Sequence, residues 1–203
     1  LISGVDVNGV AFQESVKPIT FGEESALMYK RWINKMNAMV EKLSDGKVGY
    51  VHVQGMNDGS FREVYDQVMG KNFEKKALIV DTRFNGGGWL HDDLFTLLNG
   101  KRYLDFAPQG NIVKDAEPIG KWTKPSCVLM SEGNYSDAFI FPYIYKQNGV
   151  GKLIGMGVPG TGTAVWWERQ IDPTLVFGIP MVATIGKERR ATENLQVEAD
   201  IQV

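Results

Sequence analysis

The run Ala77-Leu78-Ile79-Val80-Asp81-Thr82 is apolar over its first four residues, and it stops at Arg83-Phe84-Asn85-Gly86-Gly87-Gly88. A short, nearly continuous apolar run of this kind is the signature of a strand buried on both faces of a parallel sheet. Parallel strands need a long crossover between them, usually a helix, and the flanking chain supplies one on each side. Val48–Val53 (VGYVHV) is rich in β-branched residues, and 60–70 reads as a helix through Phe61, Val64, Tyr65 and Val68. After the glycines, 89–98 has a helical pattern, 126–132 (SCVLMSE) is a second buried strand, and a helix follows to about Lys146. Residues 152–156 (KLIGM) give a further strand, and a glycine-rich turn over 157–162 leads to strands at 163–171 and 180–185. The order predicts an α/β fold: a mostly parallel sheet with flanking helices and β-rich additions near the end.

Ahead of this body, 1–20 alternates apolar and polar residues between glycines, predicting one or two short strands that end at Lys17-Pro18. From Glu23 to Leu43, apolar residues recur at spacings of three and four (Leu27, Trp32, Ile33, Met36, Met39, Val40, Leu43), an amphipathic helix closed by Ser44-Asp45-Gly46. The charge balance, 22 basic against 24 acidic residues, leaves no electrostatic footprint for nucleic acid or an anionic membrane. One cysteine (Cys127) and two histidines (His52, His91) make neither an internal disulfide nor a thiolate- or histidine-rich metal site, so neither a metal nor a cofactor is expected. No apolar run approaches the roughly 18 residues of a membrane span. The opening LISGVDVNGV is too polar for a leader and reads as the interior of a longer chain. The compartment stays open between the cytoplasm and export.

In α/β sheets the chemistry gathers beyond the carboxyl ends of the strands. Two junctions there stand out. Gly86-Gly87-Gly88 lets backbone approach a ligand closely, and its N–H groups, standing before a helix, can bind an anion or a developing oxyanion. A flexible tight turn is the plainer reading. The second junction, Gly133-Asn134-Tyr135-Ser136-Asp137, sets a serine hydroxyl at a strand-to-helix turn with the Asp137 N–H beside it, as acyl transfer requires. Here the plainer reading is that Ser136 or Asn134 caps a helix. Pro142 requires that helix to start late or to bend.

Taken together, GKVGYVHVQGM (46–56), LIVDTRFNGGG (78–88), SEGNYSDAFIFPYIYK (131–146), GVGKLIG (149–155) and ENLQVEADIQV (193–203) resemble the catalytic core of tricorn-like members of the C-terminal (tail-specific) processing serine protease family. The resemblance implies a ClpP/crotonase-like α/β core over 46–203, a linker helix over 21–45, and the tail of a PDZ-like module over 1–20. It implies Ser136 as nucleophile, the N–H groups of Gly88 and Asp137 as the oxyanion hole, and Glu193 as the carboxylate that orients the base. Gly86 and Gly87 fall along the substrate path. Phe106 falls where tricorn-like enzymes carry an acidic residue that selects basic P1 side chains, which implies an apolar or aromatic P1 preference; a shift of one residue to Asp105 reverses that.

The general base has no counterpart. The lysine of the bacterial and plastid branch maps to Thr161, and the tricorn histidine lies upstream of the PDZ-like module. His52 and His91 match neither and are expected to be structural. The implied function is a serine peptidase core acting on unfolded chains or oligopeptides, inactive alone for want of its base. The partner is a peptide or unfolded protein, and self-association into a homo-oligomer stays open. A second reading is a non-catalytic ligand- or peptide-binding module on the same fold; crotonase-type enolate chemistry is disfavoured, because the serine and glutamate segments would then have no role. Trp166-Trp167 is expected to pack in the core or on an edge strand, Lys187–Arg190 to be a solvated loop, and Asp81 and Arg83 to form a local ion pair.

Overall fold

The computed structural model describes the backbone of residues 1–203 and every side chain except that of Asp115. Two compact units divide it, Leu1–Met36 and Asn37–Val203. In the first, β1 (Ile2–Val5) and β2 (Ala11–Glu14) form an antiparallel hairpin whose turn is held by Asp6 Oδ1, which accepts from the N–H groups of Asn8 and Val10. Helix α1 (Phe21–Leu43) begins in this unit with a capping box: Glu23 Oε2 accepts from Thr20 N–H while Glu23 N–H donates to Thr20 Oγ1. It ends in the second unit as the glycine signal predicts, Gly46 turning to φ 74° and donating to Glu41 O. None of its residues is buried, so the apolar stripe on α1 stays at least partly open.

The second unit is built on the predicted sheet. The elements in order are β3 (Val48–His52), α2 (Asp58–Asp66) running into a π-turn at 67–71, β4 (Ala77–Asp81), and α3 (His91–Leu98). Next come the short pair β5 (Leu104–Phe106) and β6 (Val113–Glu117), then β7 (Ser126–Met130), α4 (Asp137–Gln147), and β8 (Lys152–Gly155). Last are β9 (Ala164–Arg169), β10 (Val176–Val182), and β11 (Ile201–Gln202). Strands β11-β8-β7-β4-β3 lie side by side, all parallel. The order never reverses, so right-handed crossovers carry α2, α3 and α4 to one face. Alternate strand residues Val51, Val53, Leu78, Val80, Val128, Met130 and Leu153 turn to that face and join Leu94, Leu97, Phe139 and Phe141 in the core.

The other face carries Ile79, Cys127, Leu129 and Ile154, all only half-buried. Burial on both faces, expected from the apolar run at 77–80, is therefore complete on one face alone. The β-rich additions are present but shifted: β10 runs over 176–182 rather than 180–185, pairing with β9 so that Ile179 meets Trp166 and Gly178 meets Trp167. Both faces of this ribbon are largely in solvent, so its sequence has no core-facing alternation to fix the boundaries. Trp166 and Trp167 sit on this edge ribbon, 62% and 67% exposed, rather than packed. Pro180 is accommodated by a bulge between 180 and 182.

Pro142 is the other departure. Helix α4 starts at once, at Asp137, and runs through Pro142. A proline cannot donate to the carbonyl four residues back, here Ala138 O. Asn134 fills the gap: its Nδ2 donates to Ala138 O at 3.2 Å and to Thr82 Oγ1 at 2.9 Å, while its Oδ1 accepts from Ser131 N–H. Neither Asn134 nor Ser136 caps the helix with its side chain. Asn134→Ala should therefore cost about 2 kcal/mol in urea unfolding by leaving buried groups unpaired. The cost should be smaller in a Pro142→Ala background, where residue 142 regains an N–H for Ala138 O.

Candidate active site

Strand β4 ends in a rigid anchor. The buried Asp81 carboxylate accepts three bonds from the Arg83 guanidinium (Nε to both oxygens, Nη2 to Oδ2), one from Arg83 N–H and one from the Tyr50 hydroxyl at 2.8 Å. The bond to Asp81 raises the Arg83 pKa, and burial, with Asp81 beside it, pushes the Tyr50 phenol far above its ordinary range. This is the expected structural pair. His52, on the neighbouring strand, meets Arg83 O at 3.3 Å, and burial lowers its pKa.

From this anchor the glycine turn is laid down by Asn85, which is fully buried. Its Nδ2 donates to Val53 O, its Oδ1 accepts from Gly87 N–H, and its carbonyl accepts from Tyr135 N–H. One side chain and one peptide group thus tie the end of β3, the glycine turn and the serine turn together. Met56 N–H donates to Gly87 O and Met56 O accepts from Trp89 N–H at 2.7 Å, which brackets Gly88 and leaves its own N–H without an acceptor among the described residues. Both Gly87 (φ 93°) and Gly88 (φ 141°) need glycine. A Cβ on Gly88 would lie 2.0 Å from Met56 O, and one on Gly87 would lie 2.7 Å from Ser136 Cβ and 3.1 Å from Asp137 N. Gly86 has open space where its Cβ would be.

Those last contacts bring the two turns together. Ser136 is held at φ 54°, ψ −121°, a region costing a non-glycine residue roughly 1–3 kcal/mol, and such strain gathers at functional sites. Its N–H donates to Thr161 Oγ1 at 2.8 Å, and among the described residues its hydroxyl has no hydrogen-bond partner. The next amide, Asp137 N–H, is likewise unpaired at the start of α4. A strained serine, its free hydroxyl and the unpaired amides of 88 and 137 thus lie on two turns in van der Waals contact.

The Asp137 carboxylate locks them there. Buried at the N-terminus of α4, it crosses to the N-terminus of α3, where Oδ2 accepts from Leu90 N–H at 2.5 Å and His91 N–H at 3.0 Å and Oδ1 pairs with His91 Nδ1. His91 is thereby tied to the start of α4. Its bond to Asp137 raises its pKa, with Asp92 and Asp93 adding to the effect against burial. Sequence reasoning assigned Asp137 a role through its N–H alone; a carboxylate in the first helical turn was visible, its reach to the other turn was not.

Glu193 is half-buried, and its Oε2 accepts from Thr163 N–H at 2.9 Å. Asn194 N–H donates to Gly160 O. The segment 160–163 therefore joins the Glu193 loop to Ser136 through Thr161, a link the sequence did not suggest; no direct bond joins Glu193 to Ser136. Phe106 is 42% exposed on the two-stranded β5–β6 ribbon, and its assignment to a P1 pocket rests on the resemblance alone. Among the described residues no group of three or more His, Cys, Asp or Glu side chains comes together as a metal site requires.

Two outcomes are expected. Gly88→Ala should destabilise the chain by more than about 2 kcal/mol in denaturant unfolding, through the Met56 carbonyl clash and the positive φ, whereas Gly86→Ala should stay within about 1 kcal/mol of the native chain. Because the folded His91 pKa lies above the ordinary value near 6.5, the imidazolium pair contributes stability that is fully present below about pH 6.5 and is lost as the pH rises through the folded value. The stability gap between the native chain and His91→Asn, measured across pH, should be widest in that acidic window and narrow on the alkaline side.

Comparison with known proteins adds to this geometry. The chain is 33% identical over 187 residues to a tricorn-like protease C-terminal subunit of Sulfurisphaera tokodaii (89% of this chain, 21% of that protein). It is 29% identical over 185 residues to a tricorn protease homolog of Saccharolobus solfataricus (89% and 17%). Among solved structures, the crystal structure of the tricorn protease aligns with TM-score 0.74 and 27% identity, over 86% of this chain and 17% of that one. The chain thus spans about a fifth of the length of these curated relatives. The sequence profile of peptidase family S41 matches residues 47–203, and the parallel sheet flanked by helices is the fold of the family's solved structures. The chain belongs to peptidase family S41.

Proposed function

We propose that residues 46–203 form the core of a serine peptidase in which Ser136 is the nucleophile and the N–H groups of Gly88 and Asp137 hold the oxyanion. The observation that carries this reading is the meeting of two unpaired amides and an unbonded hydroxyl on a strained residue. Backbone N–H groups fixed before the reaction stabilise the charge that develops on the attacked carbonyl oxygen, because no reorganisation is needed as it forms. The Ser136 oxygen adds to the carbonyl carbon and its proton passes to a base. The tetrahedral intermediate collapses as the amine leaves with a proton, and water then releases the acyl group by the same route.

The base has no candidate bonded to the Ser136 hydroxyl among the described residues: His91 pairs with Asp137 through Nδ1, His52 meets Arg83 O, and Thr161 Oγ1 accepts the Ser136 N–H. We assign it to a histidine outside residues 1–203, oriented by Glu193 through a hydrogen-bonded side chain. Residues 1–20 are then the tail of a PDZ-like module and 21–45 a linker helix. The substrates are unfolded chains or oligopeptides passing Gly86 and Gly87. Relatives named tricorn protease and carboxy-terminal processing protease support this class.

On this reading, a fluorophosphonate labels Ser136 in a form of the protein that carries the base, and Ser136→Ala abolishes the labelling. Residues 1–203 alone show negligible peptidase activity; robust Ser136-dependent cleavage by them contradicts the missing base. Ser136→Gly should remove the backbone strain, roughly 1–3 kcal/mol, against about 0.5–1 kcal/mol of added chain entropy. It should therefore unfold at higher urea than the native chain while losing the label.

A further inference from the structure

Two large aromatic side chains stand in solvent on the two turns that carry the unpaired amides. Trp89, directly after Gly88, is 69% exposed, and Tyr135, directly before Ser136, is 58% exposed. Both are fixed at the backbone: Trp89 N–H donates to Met56 O at 2.7 Å and Tyr135 N–H to Asn85 O at 3.0 Å. The Trp89 indole also rests edge-on against the His91 imidazole, with centroids 5.2 Å apart and planes at 76°. His91 is in turn held by Asp137, so the indole is braced while its outer surface stays bare. Scattered exposed aromatics need no explanation. Two bare aromatics, one directly after Gly88 and one directly before Ser136, are a different arrangement.

We propose that Trp89 and Tyr135 are the walls of a subsite that receives the apolar, above all aromatic, side chains flanking the scissile bond of an extended peptide. The proposal rests on the reading of Ser136 given above and names its substrate class. A carbonyl that reaches the amides of 88 and 137 belongs to a residue whose chain neighbours lie only about 3.8 Å away from Cα to Cα. Side chains on either side of it are therefore within short reach of residues 89 and 135, which adjoin Gly88 and Ser136 in the chain. An aromatic side chain there covers the indole and phenol with the offset or edge-on geometry such rings prefer. Acidic side chains are disfavoured by Asp92 and Asp93 in the first turn of α3, whose charges already act on His91.

The test uses the Ser136→Ala chain and fluorescein-labelled, end-blocked hexapeptides with central Phe-Phe, Arg-Arg or Gly-Gly pairs in an alanine frame, read by fluorescence anisotropy. Phe-Phe should bind about tenfold or more tighter than Gly-Gly. Trp89→Ala and Tyr135→Ala should each weaken Phe-Phe by about 3- to 10-fold and leave Gly-Gly unchanged, and Trp89→Phe should keep most of the affinity. Circular dichroism and the urea midpoint check that each variant folds, and Trp89→Phe with Tyr135→Ala carries the test if Trp89→Ala does not. Equal affinities, a preference for Arg-Arg, no binding, a Phe-Phe preference that survives both truncations, or self-association that shields Trp89 from acrylamide overturns the proposal. Fluorophosphonate labelling of Ser136 in the base-carrying protein separates the two readings. Labelling without an aromatic preference leaves the nucleophile and ends the subsite, and an aromatic preference without labelling does the reverse.

Discussion

The Asp137 carboxylate is the contact on which the rest of the site depends. It sits at the start of one helix and accepts hydrogen bonds from the first N–H groups of another, where both sets of unpaired amides favour negative charge. A single buried anion thereby satisfies two orphan donors of α3 and holds its own backbone N–H next to the glycine turn. Without it the two turns are still tied by Tyr135 N–H to Asn85 O, but the first N–H groups of α3 lose their acceptor. His91 closes the remaining side of the carboxylate, so an imidazole is part of the contact that joins the two helix starts.

The sheet sets the stage for this contact. Because the strands succeed one another without a reversal, α2, α3 and α4 share a face, and the helices that follow β4 and β7 begin side by side. The two turns are neighbours for that topological reason. On the opposite face Tyr50, Asp81 and Arg83 form a second charged cluster, which fixes the exit of β4 from below. Seven buried residues of α4 hold the helix that follows Ser136, so the cost of the serine's positive φ is met by packing beyond the turn itself.

Much of this was readable in the chain. Strands at 48–52, 77–81, 126–130 and 152–155 announce themselves because one face of each is fully buried and the apolar runs are short. Both turns were legible as strand-turn-helix junctions from local residue types. What escaped was tertiary. The Asn134 bond to Ala138 O answers a proline eight residues on, the Asp137 reach spans 46 residues to His91, and Thr161 meets Ser136 across 25. No periodicity encodes such pairings. The second strand of the β9–β10 ribbon was misplaced for the opposite reason: with both faces in solvent it carries no burial pattern to read. The π-turn after α2 and the short β5–β6 pair have no strong local signal either.

The one-way strand order also fixes where the core can be joined to other things. Its first and last strands, β3 and β11, occupy opposite rims of a five-stranded sheet, four spacings or about 19 Å apart. A domain fused ahead of β3 and one fused behind β11 are thus delivered to opposite flanks of the serine. Because the end of β11 and the start of β3 also lie at opposite ends of the parallel strands, a circularly permuted version needs a connector of about eight extended residues or more.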